Sequence, residues 1–483
     1  MKFLVIIFIF IYYQGTLLYS QAVTRLTLPE VIDMAKKQSI AARQASTTRE
    51  TKFWEWKTFL SNYKPQLILE GNLPAYTRSF TEVVQPDGSI QFQPIRYNNS
   101  SLNLSLLQSV QQTGGQIYAT TQLQRFDDFA HKNTLYKSSP FAIGYQQPIL
   151  KFNPLKWDKK IEPLKYHESQ QVYIESLEKV ALTSTSYYFR VLLAQVNLQI
   201  AQTNLQNTNT IVTITNEKFN LGKTTRNEIL QLRLESLKAQ KAIANAKRDL
   251  EISTLTLRAY LGLPNENKLE LVIPSQILNV SISEEKALAE ALENRSDAIR
   301  NHRQLLEAES KVAKAIGDNG LNATLTATLG FSNRGATIPD LYVKPQSQES
   351  VELELSIPIL DWGRSKSRIK TAEAEKQLTQ YIIEQDQQSF KQEIFTQVTL
   401  FEMLKNELTI TAQTDTIASE KYQIAQERYI LGLLSTTDLS IAFQEKDQAK
   451  RDHINALQDY WETHYGLRAL TLYDFEKQEK IKP

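Results

Sequence analysis

Lys218-Phe219-Asn220-Leu221-Gly222, followed by Asn227-Glu228-Ile229-Leu230, is answered later by Arg428-Tyr429-Ile430-Leu431-Gly432, followed by Thr437-Asp438-Leu439-Ser440. Gly222 to Gly432 is 210 positions, and so is Glu228 to Asp438. The same step separates Pro148 from Pro358, within Gln147-Pro148-Ile149-Leu150 and Ile357-Pro358-Ile359-Leu360. One register therefore runs from a strand-like segment through a long helix to a turn. That argues duplication of a large strand-plus-helical-hairpin unit, and a repeat of this size dictates the architecture.

Upstream of each turn the texture is that of one long helix. Residues 155–220 hold a single proline, Pro163, and no glycine, and residues 364–431 hold neither. At about 1.5 Å per residue each stretch extends roughly 100 Å, a length that coiled-coil packing usually supports. After each Leu-Gly the chain returns for about 35 residues with near-heptad apolar spacing: Leu230, Leu237 and Ala244, then Ile243, Leu250 and Leu257. Ala239, Ala242, Ala244 and Ala246 permit close helix approach.

Each copy also opens on a helix. Residues 26–62 are predicted helical, with Thr27 as N-cap, Pro29 in the first turn and Glu30 completing a capping box. Residues 283–316 follow suit, with Ser283 as cap and Gly317 as stop. Aligning Met34-Ala35 with Glu290-Ala291 gives a spacing of 256, so the first copy carries 46 more residues (256 less 210) before Pro148. They lie in 65–150, which alternates like a sheet with one apolar and one wet face. Leu102, Leu104 and Leu106 alternate with Asn103 and Ser105, and Ile117, Ala119, Thr121 and Leu123 follow the same period. Asp87-Gly88 and Gly114-Gly115 are turn signals between these runs. The second copy is leaner, with strands predicted over 321–332 and 349–360.

Composition narrows the class. Of 483 residues, 15 are glycine and 15 proline, so breakers are few; net charge is +2, which points to no nucleic acid or polyanionic partner. Cysteine is absent, which excludes disulfides, thiolate metal sites, a cysteine nucleophile and an N-terminal lipidated cysteine. Residues 1–20 read as a secretory signal, with Lys2 ahead of an apolar run from Phe3 to Tyr13. No other run approaches the ~20 apolar residues of a spanning helix. A membrane crossing by the exported chain must use strands.

With these motifs in register, the chain resembles the TolC-like outer membrane efflux proteins of Gram-negative bacteria. The likeness rests on Leu26-Thr27-Leu28-Pro29-Glu30-Val31, on the run from Leu355 through Pro358 to Asp361-Trp362-Gly363-Arg364 with Ala372-Glu373-Ala374 beyond, and on the paired Leu-Gly turns with an acid six positions on. It covers almost the whole chain in the right order. The fold class expected is mixed α+β: two tandem repeats of long coiled-coil helical hairpins, with strands contributed to a shared trimeric transmembrane β-barrel. The first repeat is 21–270 (helix 26–62, strands about 65–150, hairpin 155–262), and the second is 271–483 (helix 283–316, strands 321–360, hairpin 361–470). Physics concurs that so few strands cannot close a water-filled barrel alone. The family gives four strands per protomer; region 65–150 has room for two more around Gly114-Gly115, inside the wall or outside it.

The resemblance implies that the turns form the periplasmic end, where the tunnel narrows and an adaptor docks. Leu221, Gly222, Leu431 and Gly432 then belong to docking tips. Glu228 and Asp438 match acidic residues near the constriction, and Phe219 and Tyr429 match aromatic positions, of which a tyrosine helps to tie the closed mouth. Leu434 stands where some members place a latching arginine, and Ile441 where some carry a second aspartate. An acidic ring concentrates cations in a narrow mouth. Charge at a return-helix N-terminus is the alternative role for both acids. The implied partners are two further copies of the chain, outer-membrane lipid, a periplasmic adaptor and an inner-membrane pump of the RND or ABC type, with no nucleic acid and no cofactor.

Other motifs lead nowhere catalytic. Gly222-Lys223-Thr224 lacks the phosphate-loop glycine, since Glu217 stands in its place. The histidines at 131, 167, 302, 453 and 464 show no ligand spacing on one helical face. Trp54, Trp56, Tyr76, Phe126, Phe129 and Tyr136 flank the strands, as girdle aromatics or as ordinary packing. The function expected is a non-enzymatic exit duct for efflux or type I secretion across periplasm and outer membrane. A periplasmic adaptor or a coiled-coil scaffold is the alternative, but an adaptor usually has one hairpin with lipoyl-like flanks and a scaffold needs no alternating strands.

Overall fold

A computed structural model describes residues 24–264, 269–275 and 280–482. The expected leader, residues 1–20, lies outside them. In chain order the elements are β1 (Thr24–Leu26), α1 (Leu28–Gln38), α2 (Ile40–Ser61), β2 (Gln66–Asn72), β3 (Tyr76–Val84), β4 (Ile90–Val110), β5 (Gly115–Asp128) and β6 (Asn133–Ile149). They continue with α3 (Pro154–Asn220), α4 (Arg226–Leu261), β7 (Leu269–Leu271), α5 (Glu284–Asn294), α6 (Ser296–Asp318), β8 (Asn322–Gly335), β9 (Gln346–Ser356), α7 (Arg364–Ile430), α8 (Thr436–Thr471), β10 (Tyr473–Asp474) and β11 (Glu479–Lys480).

The duplication is exact in its hairpin helices. The two long ones, α3 and α7, have 67 residues each, and the two returning ones, α4 and α8, have 36 each. All four begin 210 positions apart in pairs. Pro163 sits within α3 without ending it.

The opening helices differ from expectation. Residues 26–62 form α1 and α2, divided at Ser39, whose backbone turns extended (φ −61°, ψ 152°). The Ser39 hydroxyl accepts from the Ala42 amide at 3.1 Å, capping the second segment. Arg295 divides α5 from α6 in the same manner (φ −82°, ψ 160°), and Ser39 to Arg295 is again 256 positions. Neither break carries glycine or proline, so periodicity ran straight through them. The capping box at Thr27 is present: its amide donates to Glu30 Oε2 at 2.8 Å. Gly317 is not a stop, because α6 runs on to Asp318. A Cβ there would lie 2.7 Å from the Phe152 amide nitrogen, so close approach is what selects the glycine.

Two compact units divide the chain, and each takes segments from both repeats. One comprises the described residues of Met1–Ser46, Ile174–Asn294 and Glu393–Pro483. Its core holds Tyr188, Phe189, Leu192, Leu257, Leu261, Phe401 and Tyr460. Strand β1 pairs in parallel with β7 there. A buried carboxylate, Glu178, receives Lys36 Nζ on one oxygen and Arg468 Nε, at 3.1 Å, on the other. Arg468 also binds Asp474. A carboxylate taken out of water needs such partners, since removing one leaves an uncompensated buried charge. Beside this group, burial and, after it, the adjacent Arg468 push the His464 imidazole down to about 4, so the ring is neutral at physiological pH.

The other unit, Thr47–Tyr173 with Arg295–Gln392, holds one antiparallel sheet ordered β2-β4-β5-β6-β8-β9. Strand β3 pairs with the first half of β4 while β2 pairs with its second half, so the two lie end to end along one partner. Arg303 bridges Glu168 at 2.5 Å in this unit. Trp54 and Trp56 lie on α2 and not beside the strands; Trp56 stacks on Tyr166 with 5.7 Å between centroids, so it packs helices. No helix among the described residues is long and apolar enough to cross a membrane.

Candidate functional site: the hairpin tips

Both hairpins turn through the same backbone device. Gly222 and Gly432 sit at φ 73° and 78°, in the left-handed region that spares only glycine a steric cost. The Gly222 amide donates to the Phe219 carbonyl at 2.8 Å, and the Lys223 amide to the Lys218 carbonyl at 2.8 Å. At the second tip Gly432 donates to Tyr429 at 3.0 Å, and Leu433 to Arg428 at 2.9 Å. These are the paired bonds of the Schellman ending, which satisfy carbonyls the helix leaves open. Three residues on, Thr225 and Ser435 cap the return helices by accepting from the amides of Glu228 (3.3 Å) and Asp438 (3.1 Å).

The two acids thus stand third in their helices, where the helix dipole favours negative charge. Asp438 Oδ2 accepts from the Ser435 hydroxyl at 2.6 Å, and Glu228 Oε2 is bonded by Thr224. Asp438 is exposed and Glu228 half-buried. Charge at the N-terminus of a return helix therefore accounts for the position of both. Leu221 and Leu431 are 70% and 72% exposed, and a Cβ on either tip glycine would meet nothing within 4 Å.

The aromatic pair divides. Tyr429 is 4% exposed, whereas Phe219 is 41% exposed. The Tyr429 hydroxyl is 2.9 Å from Thr215 Oγ1, and its carbonyl accepts from Lys218 Nζ at 3.1 Å. Lys218 Nζ also lies 5.0 Å from the Tyr429 ring centroid. Two further ties join the hairpins behind the tip: Asn207 Nδ2 donates to the Tyr422 hydroxyl at 3.0 Å, and Asn204 Nδ2 to Asp447 Oδ2 at 2.5 Å. Between these polar bonds lies an apolar cluster of Ile211 and Leu232 from the first hairpin with Tyr422, Ala425, Tyr429, Leu439 and Ala442 from the second. Leu434 packs against that cluster.

Sequence reasoning found Tyr429 but missed Thr215, Asn207, Tyr422, Asn204 and Asp447. For Asn204 the signal was register: Asn204, Ile211 and Lys218 recur every seven residues on α3, so a polar side chain at such a place faces a partner helix.

The outer membrane efflux protein family matches residues 102–263 and 287–471. Together these spans cover well over half of the chain. The chain belongs to the outer membrane efflux protein family. Membership makes it an efflux channel of the outer membrane, with its helical hairpins on the periplasmic side. No curated protein sequence matches it. Solved structures agree on the fold. The outer membrane channel CmeC of Campylobacter jejuni is 16% identical, with TM-score 0.67, over 94% of this chain and 87% of that one. The outer membrane protein VceC of Vibrio cholerae is 15% identical, with TM-score 0.64, over 92% and 96%. The MtrE channel of Neisseria gonorrhoeae, solved in an open state, is 15% identical, with TM-score 0.64, over 94% and 90%.

Proposed function

We propose that this efflux protein is the trimeric exit duct of a tripartite machine, closed at rest by the hairpin tips. The repeats are 21–270 and 271–483, and each protomer brings both hairpins to the periplasmic mouth. The observation that carries the gate is the set of ties between the two hairpins: Thr215 with Tyr429, Asn207 with Tyr422, and Asn204 with Asp447. Opening loosens the second hairpin from the first. Few bonds need to break, and the apolar cluster between them is small, as suits a segment that must move.

An adaptor docks on the exposed Leu221 and Leu431, where the tip glycines leave room for a close backbone approach. The energy source is an inner-membrane pump of the RND or ABC type, and the duct itself performs no chemistry. Glu228 and Asp438 complement the dipoles of their helices and also set the sign of the mouth, because a charge at a helix N-terminus still contributes its field.

Single-channel current of the purified protein in a planar bilayer tests the gate. Small, cation-preferring openings are expected of the wild type. Tyr429→Phe, which removes only the hydroxyl that meets Thr215, should raise open probability. Currents identical in the two proteins would rule the tie out as a latch.

A further inference from the structure

The sheet contributes six strand-widths to one continuous wall, where the four-strand pattern of the family leaves a hairpin over. We infer that every protomer places all six in the membrane, so that three protomers close an eighteen-stranded barrel, and that the free edges β2 and β9 are each other's partners between neighbouring copies. This rests on the trimeric duct reading above.

Three observations carry it. The first is a shared face. Leu67, Leu106, Ala119, Ile143 and Leu329 are opposed in succession from β2 to β8, and Val351 continues the same side of β9. The other side reads Ser109, Gln116, Gln146, Thr326 and Glu352 across β4 to β9. Apolar outward and polar inward is the pattern of a transmembrane barrel wall. The hairpin around Gly114-Gly115 keeps it from Gly115 through Thr120, beyond which a bulge shifts the register between β5 and β6.

The second observation is that this hairpin is fastened into the plane. Tyr118 on β5 reaches across β6 to the Thr328 hydroxyl on β8, at 2.9 Å. Gly144 makes the passage possible, since a Cβ there would fall 2.2 Å from the Tyr118 ring. At the turn, Asn153 Nδ2 donates to the Gln111 carbonyl at 3.0 Å, and Gln147 Nε2 to the Thr113 carbonyl at 2.9 Å. A flap folded outside the wall would need neither fastening.

The third is closure. The strands alternate in direction along the sheet, because every adjacent pair is antiparallel. Six is even, so β9 of one copy meets β2 of the next antiparallel, and no edge is left to water or lipid. Barrel diameter grows about linearly with strand number. Eighteen strands in place of twelve widen the pore about 1.5-fold, and its cross-section about 2.3-fold. The cargo class admitted at the membrane exit is correspondingly bulkier, and selection falls to the tips.

The chain has no cysteine, so single cysteines can be spin-labelled in the full protein reconstituted in lipid vesicles. Labels at Ile117→Cys and Ala119→Cys are expected to collide with oxygen in lipid, and labels at Gln116→Cys and Thr120→Cys with a water-soluble nickel chelate. Val351→Cys and Leu353→Cys on β9 serve as references. Water access at all four hairpin sites, with lipid at the two references, overturns the six-strand wall and leaves the duct standing. Water at the references as well overturns the duct reading itself. Electron microscopy of the trimer counts eighteen strands if the inference holds and twelve if it fails.

Discussion

Phe219 and Tyr429 hold the same place, three residues before a left-handed glycine, yet one side chain is 41% exposed and the other is buried in a core. Around them the backbone repeats the same devices: the same paired turn bonds, a hydroxyl cap, an acid third in the helix. Main-chain hydrogen bonding is therefore what the duplication preserved. Side chains diverged, and the contacts that join the hairpins are made by the second tip's tyrosines and aspartate to small polar groups on α3. Charge diverged too. The first tip carries Lys223 and Arg226 near Glu228, while no basic residue follows Gly432 until Lys446.

The largest effect that separates the tips is expected from truncating the aromatics. Tyr429→Ala should cost about 3–5 kcal/mol of local stability, the range for large buried aromatics. Phe219→Ala should stay within about 0.5 kcal/mol. Hydrogen exchange over 422–442 reads the difference, and equal losses would erase the distinction drawn here. Next in size, Gly222→Ala and Gly432→Ala should each cost roughly 1–2 kcal/mol, since each forces a side chain into the left-handed region. Thermal unfolding that finds one costly and the other neutral would break the claim of a shared backbone. Smaller still, Thr215→Ala and Tyr429→Phe should each cost about 1 kcal/mol and should not add, because they remove two ends of one hydrogen bond. A double-mutant cycle on the same exchange signal checks this.

The last effect is electrostatic. Asp438→Asn keeps an oxygen for the Ser435 hydroxyl and removes only charge. It should weaken cation preference more than Glu228→Gln, whose field is already offset by Lys223 and Arg226. Reversal potentials in a salt gradient give the order, and a larger shift for Glu228→Gln would place the constriction at the first tip.

The 210-residue step made the long helices legible almost to the residue, because, apart from Pro163 near the start of α3 and Gly466 near the end of α8, they hold no glycine or proline and end where the turn chemistry says. The breaks at Ser39 and Arg295 were not legible. The apolar period continues across them, and only the geometry shows a serine hydroxyl turned to cap the next segment. At the tips, glycine and the acids announced themselves by spacing. Thr215 and Asn207 did not, since threonine and asparagine are common along α3 and composition gives neither a partner. The hairpin around Gly114-Gly115 was visible as strands, but its place in the sheet needed the register across to β8.

Glu178 has its cationic partners 142 residues before it and 290 after it. A chain is made and exported from its beginning, so for most of synthesis this carboxylate has Lys36 alone and no place in a finished core. Arg468 arrives with the final helix. Any product broken off earlier keeps a half-neutralised charge where the core should close, along with unpaired surface for proteases to find. The last long helix thereby supplies the charge that closes a core begun by the first.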